Sequence, residues 1–225
     1  MNNNIPSKIL PPSFRETRPE LRLKPRWGIL KPLFDKGFAL TVLTVFSPVF
    51  LIVAAAIKLD SPGPIFFCQP RFGKDGRVIK VTKFRTMHHV VTDIGGKRQA
   101  VRNDARVTRL GAFLRRSCLD EIPQFWDVLC GRLSVVGPRP HPLEMEIENQ
   151  RADLAIPNYH DRHRVRPGIT GLAQVRGNCG PIETLEKGRA RVAFDTEYID
   201  KISFKTDIQI ILATFGAVVF QNKTY

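Results

Sequence analysis

The stretch GFALTVLTVFSPVFLIVAAAI, from Gly37 to Ile57, carries no charged residue, and Ser47-Pro48 interrupts it at its middle. As a helix it would extend about 32 Å at roughly 1.5 Å per residue, enough for a hydrocarbon core of about 30 Å. The flanks argue against a simple crossing. Residues 1–36 carry eight Lys or Arg against three acids, and residues 58–110 carry twelve against four. Under the positive-inside bias both ends belong on the cytoplasmic side. A helix that enters, bends and returns satisfies both flanks. Pro48 can supply the bend, because it removes a backbone donor and clashes with the preceding turn. The expected anchor is therefore a re-entrant hairpin of two half-helices over residues 33–59, with Ser47 and Pro48 at the break. An ordinary span with a tolerated proline is the alternative reading.

Outward from the anchor, 225 residues leave room for one domain. The net charge of +14 points to a polyanionic partner: nucleic acid, an acidic lipid surface or phosphorylated substrates. An uncharged anchor beside basic stretches favours the lipid surface, where each nearby Lys or Arg contributes about 1 kcal/mol. The aromatics do not interleave with basic residues, and no helix-turn-helix or RNA-binding signature occurs, so nucleic acid is not an expected partner. Cys68, Cys118, Cys130 and Cys179 lack both C-x-x-C pairing and zinc-ligand spacing, which suits reduced cysteines in the cytosol. Residues 1–32 read as a flexible, proline-rich basic arm and 60–225 as the cytosolic domain. That domain is expected to be α/β and helix-rich. Short strands at 65–67 and 78–81 are joined through Gly73-Lys74-Asp75-Gly76. Helical spacing follows over 107–129 and 183–198, with Pro123 in a first helical turn. An apolar helix over 208–220, too short to span, suits the membrane interface.

The chemistry gathers at Leu119-Asp120-Glu121-Ile122-Pro123-Gln124. Acids ahead of a helix start commonly serve only as caps. The same position favours an ionised carboxylate and attracts a phosphoryl group, which makes Asp120 a ready nucleophile. Arg115 and Arg116 lie about a turn away, and Arg139 sits in the rigid loop Val136-Gly137-Pro138-Arg139-Pro140, so several cations can surround a diphosphate. Two carboxylates facing a diphosphate need a counter-charge, for which Mg²⁺ is the natural choice.

Several motifs occur in order along the chain: Asp60-Ser61-Pro62-Gly63-Pro64, Lys83-Phe84-Arg85-Thr86-Met87, the acid-pair segment, the Arg139 loop, Arg162-His163, and Arg166-Pro167-Gly168-Ile169-Thr170-Gly171. Together they resemble the bacterial sugar transferase family of monotopic phosphoglycosyl transferases, in particular its short members that initiate exopolysaccharide synthesis. The resemblance implies a monotopic membrane protein on the bacterial inner membrane, with its catalytic domain on the cytoplasmic face. It implies transfer of galactose or glucose 1-phosphate from a UDP-hexose to undecaprenyl phosphate, with UMP released. Asp120 would form a covalent phosphosugar intermediate, and Glu121 would hold Mg²⁺. Lys83, Arg85, Arg115, Arg139, Arg166 and Asp195 match positions expected around the substrates. Membrane lipids and later-acting glycosyltransferases are the other implied partners. A membrane-tethered nucleic-acid binder or a scaffold without catalysis is the competing reading.

Overall fold

The computed structural model describes residues 25–220 apart from 90–92, 94, 98 and 102. Residues 1–24 of the expected basic arm lie outside this range. Helix α1 (Pro25–Val45) runs to the break and α2 (Ser47–Asp60) leaves it, the two bent by 64° about Phe46. Hydrogen bonding continues across the break, from Phe46 N to Val42 O at 2.9 Å and from Phe50 N to Phe46 O at 2.8 Å. Pro48 sits in the first turn of α2, where a missing N–H costs nothing, and the Ser47 hydroxyl donates to Thr44 O at 2.8 Å. Among the described residues no single helix is long and apolar enough to cross a membrane. Among the same described residues, this bent pair taken together has the length and composition. Helix α1 begins at Pro25, ahead of the expected boundary at 33, because Trp27 packs edge-on against Phe204 and Lys31 reaches Asp207.

The expected hairpin forms as β1 (Phe66–Phe72) and β2 (Val78–Phe84), antiparallel with Phe66 opposite Phe84 and Phe72 opposite Val78. Asp75 (φ 55°) and Gly76 (φ 70°) turn the chain through left-handed backbone. The helical stretch over 107–129 divides into α3 (Arg109–Arg116), a 3₁₀ turn at Leu119–Glu121 and α4 (Gln124–Leu129). Strand β3 (Ser134–Val136) follows. A two-residue ladder joins β4 (Glu146–Ile147) to β5 (Gln150–Arg151), and α5 (Ala152–Ala155) succeeds it. Strand β6 (Gly168–Thr170) pairs parallel with β3. The chain then forms α6 (Leu172–Val175), α7 (Leu185–Asp200) and α8 (Phe204–Phe220). The result is a mixed helix-and-sheet domain in which helix predominates.

One apolar core joins α1, α4, β3, α7 and α8 through Ala39, Val128, Val135, Tyr198 and Ile210. A second packs Phe72, Met145, Tyr159 and Val192. A third seats Val53 and Ile57 of α2 on Phe84 and Leu114, so the bent helix pair and β2 share a core. Each such side chain contributes roughly 1.5–3 kcal/mol by leaving water. Polar pins fix both arms. On α1, buried Asp35 accepts from Ser134 Oγ at 2.7 Å and Val135 N at 3.2 Å. At the end of α2, buried Arg85 donates to the carbonyls of Ile57 (3.2 Å), Ser61 (2.6 Å) and Pro62. The large apolar side chains left exposed on these elements include Ile29, Leu33, Leu40, Leu51, Ile52 and Leu59, with Leu212 and Phe215 on α8.

Candidate active site

The elements around β2 build one cavity of about 200 Å³. Val81 and Phe84 of β2 are buried, and Lys83, between them in the chain, is half-buried on the cavity wall. Helix α3 is capped by Thr108, whose hydroxyl accepts from Gly111 N at 2.9 Å. Its last turn presents Arg115, which donates to Thr86 Oγ1 at 2.8 Å. A side chain at Gly111 would overlap the Thr86 carbonyl, so only glycine lets α3 approach this closely. Cys118, in left-handed backbone (φ 56°), reverses the chain into the 3₁₀ turn and brings Asp120 to the same wall. Asp127 of α4, fully buried, accepts from Thr82 N at 2.7 Å and from Arg132 at 2.6 Å. That link fixes the acid pair relative to β2.

Arg139 arrives through the contact between the loop at 136–140 and β6. Gly137 and Gly168 cross with no room for a Cβ on either, and their N–H groups bond Thr170 O and Pro138 O, each at 2.9 Å. Behind Arg139 lies a buried polar network. Arg162 donates to the Arg139 carbonyl at 2.7 Å and to Asp195 at 2.9 Å, and it lies 2.5 Å from His141 Nδ1. Burial, with Arg162 adding repulsion, holds His141 well below the ordinary histidine range, so the ring is neutral.

Glu121 does not line the cavity. It takes Lys83 Nζ at 2.6 Å and the Arg139 guanidinium, two cations that do line it. Asp120, 7% exposed, has Lys83 Nζ at 3.8 Å. Burial would raise both carboxyls. For Glu121, Arg139 and Lys83 outweigh burial and hold it well below the usual carboxylate range. For Asp120, burial prevails over Lys83, and the carboxyl is raised. This corrects the expectation that a helix start keeps Asp120 ionised: α4 has only six residues, and the favouring charge comes from Lys83.

Lys83, Arg115, Arg139 and Asp120 line the same cavity. Three other assigned residues do not reach the cavity. Arg85 is spent on the carbonyls at the end of α2, Asp195 is buried against Arg162, and Arg166 faces a separate cavity beside α1. Three cations the sequence reading did not single out do line it: Arg71, Arg106 and Arg191. Arg71 bonds Gln69 Oε1 at 2.7 Å, and Arg191 bonds Asn178 Oδ1 at 3.0 Å. Arg191, 4% exposed, is lowered to about 10 by burial and by the repulsion of Arg162 and Arg139. Nothing local marks it, because the buried face of α7 carries Arg191 and Asp195 beside its apolar residues.

Two neighbouring carboxylates offer the hard oxygen donors that Mg²⁺ prefers, and that ion needs few protein ligands when phosphates complete its shell. Among the described residues no group of three or more His, Cys, Asp or Glu side chains suits a metal. The acid pair fits Mg²⁺ on condition that Lys83 and Arg139 release Glu121.

A buried carboxylate on the wall of a cavity lined by six cations, tied to an apolar helical hairpin, is the equipment of a phosphate-transferring enzyme. The chain belongs to the bacterial sugar transferase family, whose model matches residues 26–221. It is 48% identical over 197 residues to the exopolysaccharide production protein PSS of Rhizobium leguminosarum bv. phaseoli, covering 88% of this chain and 98% of that one. It is 48% identical to the UDP-glucose:undecaprenyl-phosphate glucose-1-phosphate transferase of Escherichia coli, covering 83% of this chain and 39% of the relative. The undecaprenyl-phosphate glucose phosphotransferase of Komagataeibacter xylinus is 42% identical, with 88% and 38% covered. The chain thus spans nearly all of the first and about two fifths of the other two.

Proposed function

We propose that this chain transfers a hexose 1-phosphate from a UDP-hexose to undecaprenyl phosphate, releasing UMP, as the initiating step of exopolysaccharide synthesis. The observation that carries the reading is Asp120 on a cation-lined wall, beside a Glu121 held by Lys83 and Arg139. The names of the two phosphotransferase relatives favour UDP-glucose as donor. The Asp120 carboxylate attacks the sugar-bearing phosphorus. A P–O bond forms to Asp120, the anhydride bond to UMP breaks, and UMP leaves with the electron pair. An oxygen of the lipid phosphate then attacks the same phosphorus and Asp120 departs as carboxylate. Dividing the exchange this way replaces one difficult displacement by two easier ones.

Lys83 opposes the rise that burial imposes on the Asp120 carboxyl, and Arg115, Arg139, Arg71 and Arg191 hold phosphate oxygens in the cavity. Glu121 would hold Mg²⁺, which when bound supplies neutralisation of diphosphate charge. The hairpin over 33–59 dips into the cytoplasmic leaflet of the inner membrane and returns, and the domain from 60 onward lies on the cytoplasmic face. The lipid phosphate thereby meets a nucleotide sugar arriving from the cytosol. UMP release by purified protein tests the reading, with UDP-glucose and UDP-galactose assayed in parallel, with and without undecaprenyl phosphate and Mg²⁺. Release that needs lipid phosphate supports it. Absence of release with a panel of UDP-sugars sinks it.

A further inference from the structure

A second cavity, of about 150 Å³, lies between α1, β3 and the segment leading into β6, and it shares no lining residue with the catalytic one. Its wall carries four cations, Lys31, Lys74, Arg164 and Arg166, against one acid, Asp35. That acid is already engaged by Ser134 Oγ at 2.7 Å and Val135 N at 3.2 Å, with Lys31 at 3.7 Å. Lys31 is committed to Asp207 at 2.6 Å, and Arg164 lies 4.0 Å from Asp200. Lys74 and Arg166 have no acidic partner among the described residues. Trp27 also lines the cavity. Surplus positive charge on one small cavity describes an anion site.

Its depth suggests the source of the anion. Lys36 and Lys58 are the first charges met on leaving the break along α1 and α2, and each lies about three turns from Phe46. They mark where two arms sunk to equal depth regain water. The cavity starts at Asp35, level with that return to water, and continues back about two turns to Trp27, so its near end lies at headgroup depth. We propose that this cavity binds the phosphate group of an anionic membrane lipid, with Arg166 and Lys74 as charge partners and Trp27 as part of its wall. The lipid would clamp α1 to β3 and set the height of the catalytic cavity above the bilayer. The inference rests on the hairpin lying in the membrane and on nothing in the transfer reaction.

The test uses full-length protein in neutral detergent carrying Trp126→Phe, so that Trp27 is its only tryptophan. Short-chain phosphatidylglycerol, phosphatidylcholine and inorganic phosphate are titrated separately while indole fluorescence is read. Saturable change with phosphatidylglycerol is expected, with affinity at least fivefold weaker for phosphatidylcholine and for either Arg166→Gln or Lys74→Gln. Lys74 is exposed, so its variant remains informative if the Arg166 variant misfolds. The inactive Asp120→Asn protein should respond like its parent, which separates this site from the catalytic one. Equal response to inorganic phosphate, a non-saturating response, or variants that bind like the parent would each overturn the proposal. So would an Arg166→Gln protein that loses turnover while keeping the lipid response, since that returns Arg166 to the substrates.

Discussion

Two acid pairs in this chain have opposite surroundings. Asp120 and Glu121 meet Lys83, Arg115 and Arg139 beside an open cavity whose wall carries further arginines. Asp35 and Asp207 close on a single cation, Lys31, and on neutral donors: Ser134, the Val135 N–H and Tyr198, whose hydroxyl donates to Asp207 at 2.7 Å. Where cations exceed acids, the surplus can hold phosphate and sustain a reactive carboxylate. Where two acids share one cation and every carboxylate oxygen is occupied, the acids themselves only hold helices together, whatever cations line the cavity beside Asp35. The residue types are the same, and the ratio of charge and the room beside it decide what they do.

The largest expected effect breaks the first pair. Asp120→Asn keeps the shape and removes the attacking charge, so UMP release should fall at least about a thousandfold, and no sugar-labelled UDP-hexose should mark the protein. A turnover within tenfold of the parent would show that the reacting group is elsewhere. Glu121→Gln sharpens the contrast differently, because it removes the charge gripped by Lys83 and Arg139. Turnover should fall by about 10–100-fold, and the Mg²⁺ concentration for half-maximal rate should rise. An unaltered metal titration would move the ligand away from Glu121.

Next comes a change at the bent helix pair. Arg85 touches no part of the catalytic cavity, yet it holds the carbonyls of Ile57, Ser61 and Pro62. Arg85→Met should therefore cost about 2–3 kcal/mol of stability, the scale of hydrogen bonds to a buried charge. The check is thermal melting of detergent-solubilised protein, with the KM for the UDP-sugar largely preserved in what remains folded. A KM raised tenfold with unchanged melting would instead make Arg85 a substrate ligand.

Arg85 also shows where sequence reading stops. The break at Ser47-Pro48, the β1–β2 hairpin and the acid pair ahead of α4 are local patterns, and each is legible because its cause lies within a few residues. The direction of a long side chain is not local. Arg85 follows Lys83 by two residues, so strand alternation would put both on one face, but β2 ends at Phe84 and the chain turns Arg85 toward α2. Arg166 and Asp195 carry the charge a substrate site needs, yet one lies beside α1 and the other is buried under Arg162. Asp127 was missed for the converse reason. Its partner Thr82 is 45 residues away, and nothing near it in the chain marks an acid that ties α4 to β2.

The smallest effect tests the second pair through pH. Burial raises the Asp207 carboxyl above its ordinary value, and Lys31 is the main influence opposing that rise. A carboxyl whose folded pKa lies above its unfolded one binds protons more readily when folded. Its contribution to stability is full below the unfolded value and is lost as pH rises through the folded one. Lys31→Met removes the opposing charge and drives Asp207 further up, so the burden of its ionised form grows at neutral pH. The groups facing Lys31 and Asp207 are Asp35 from α1 and Tyr198 from α7. Tyr198 is itself raised by burial and by Asp207, so it stays a neutral donor throughout. The variant should therefore melt about 2–4 °C below the parent near pH 7.5, and the gap should close toward the ordinary carboxylate range, where Asp207 is protonated in both proteins. Adding Asp207→Asn to Lys31→Met should remove most of that pH dependence. A gap that stays constant from acid to neutral pH would mean that Lys31 supports the fold by packing alone, and the second pair would no longer be an electrostatic lock.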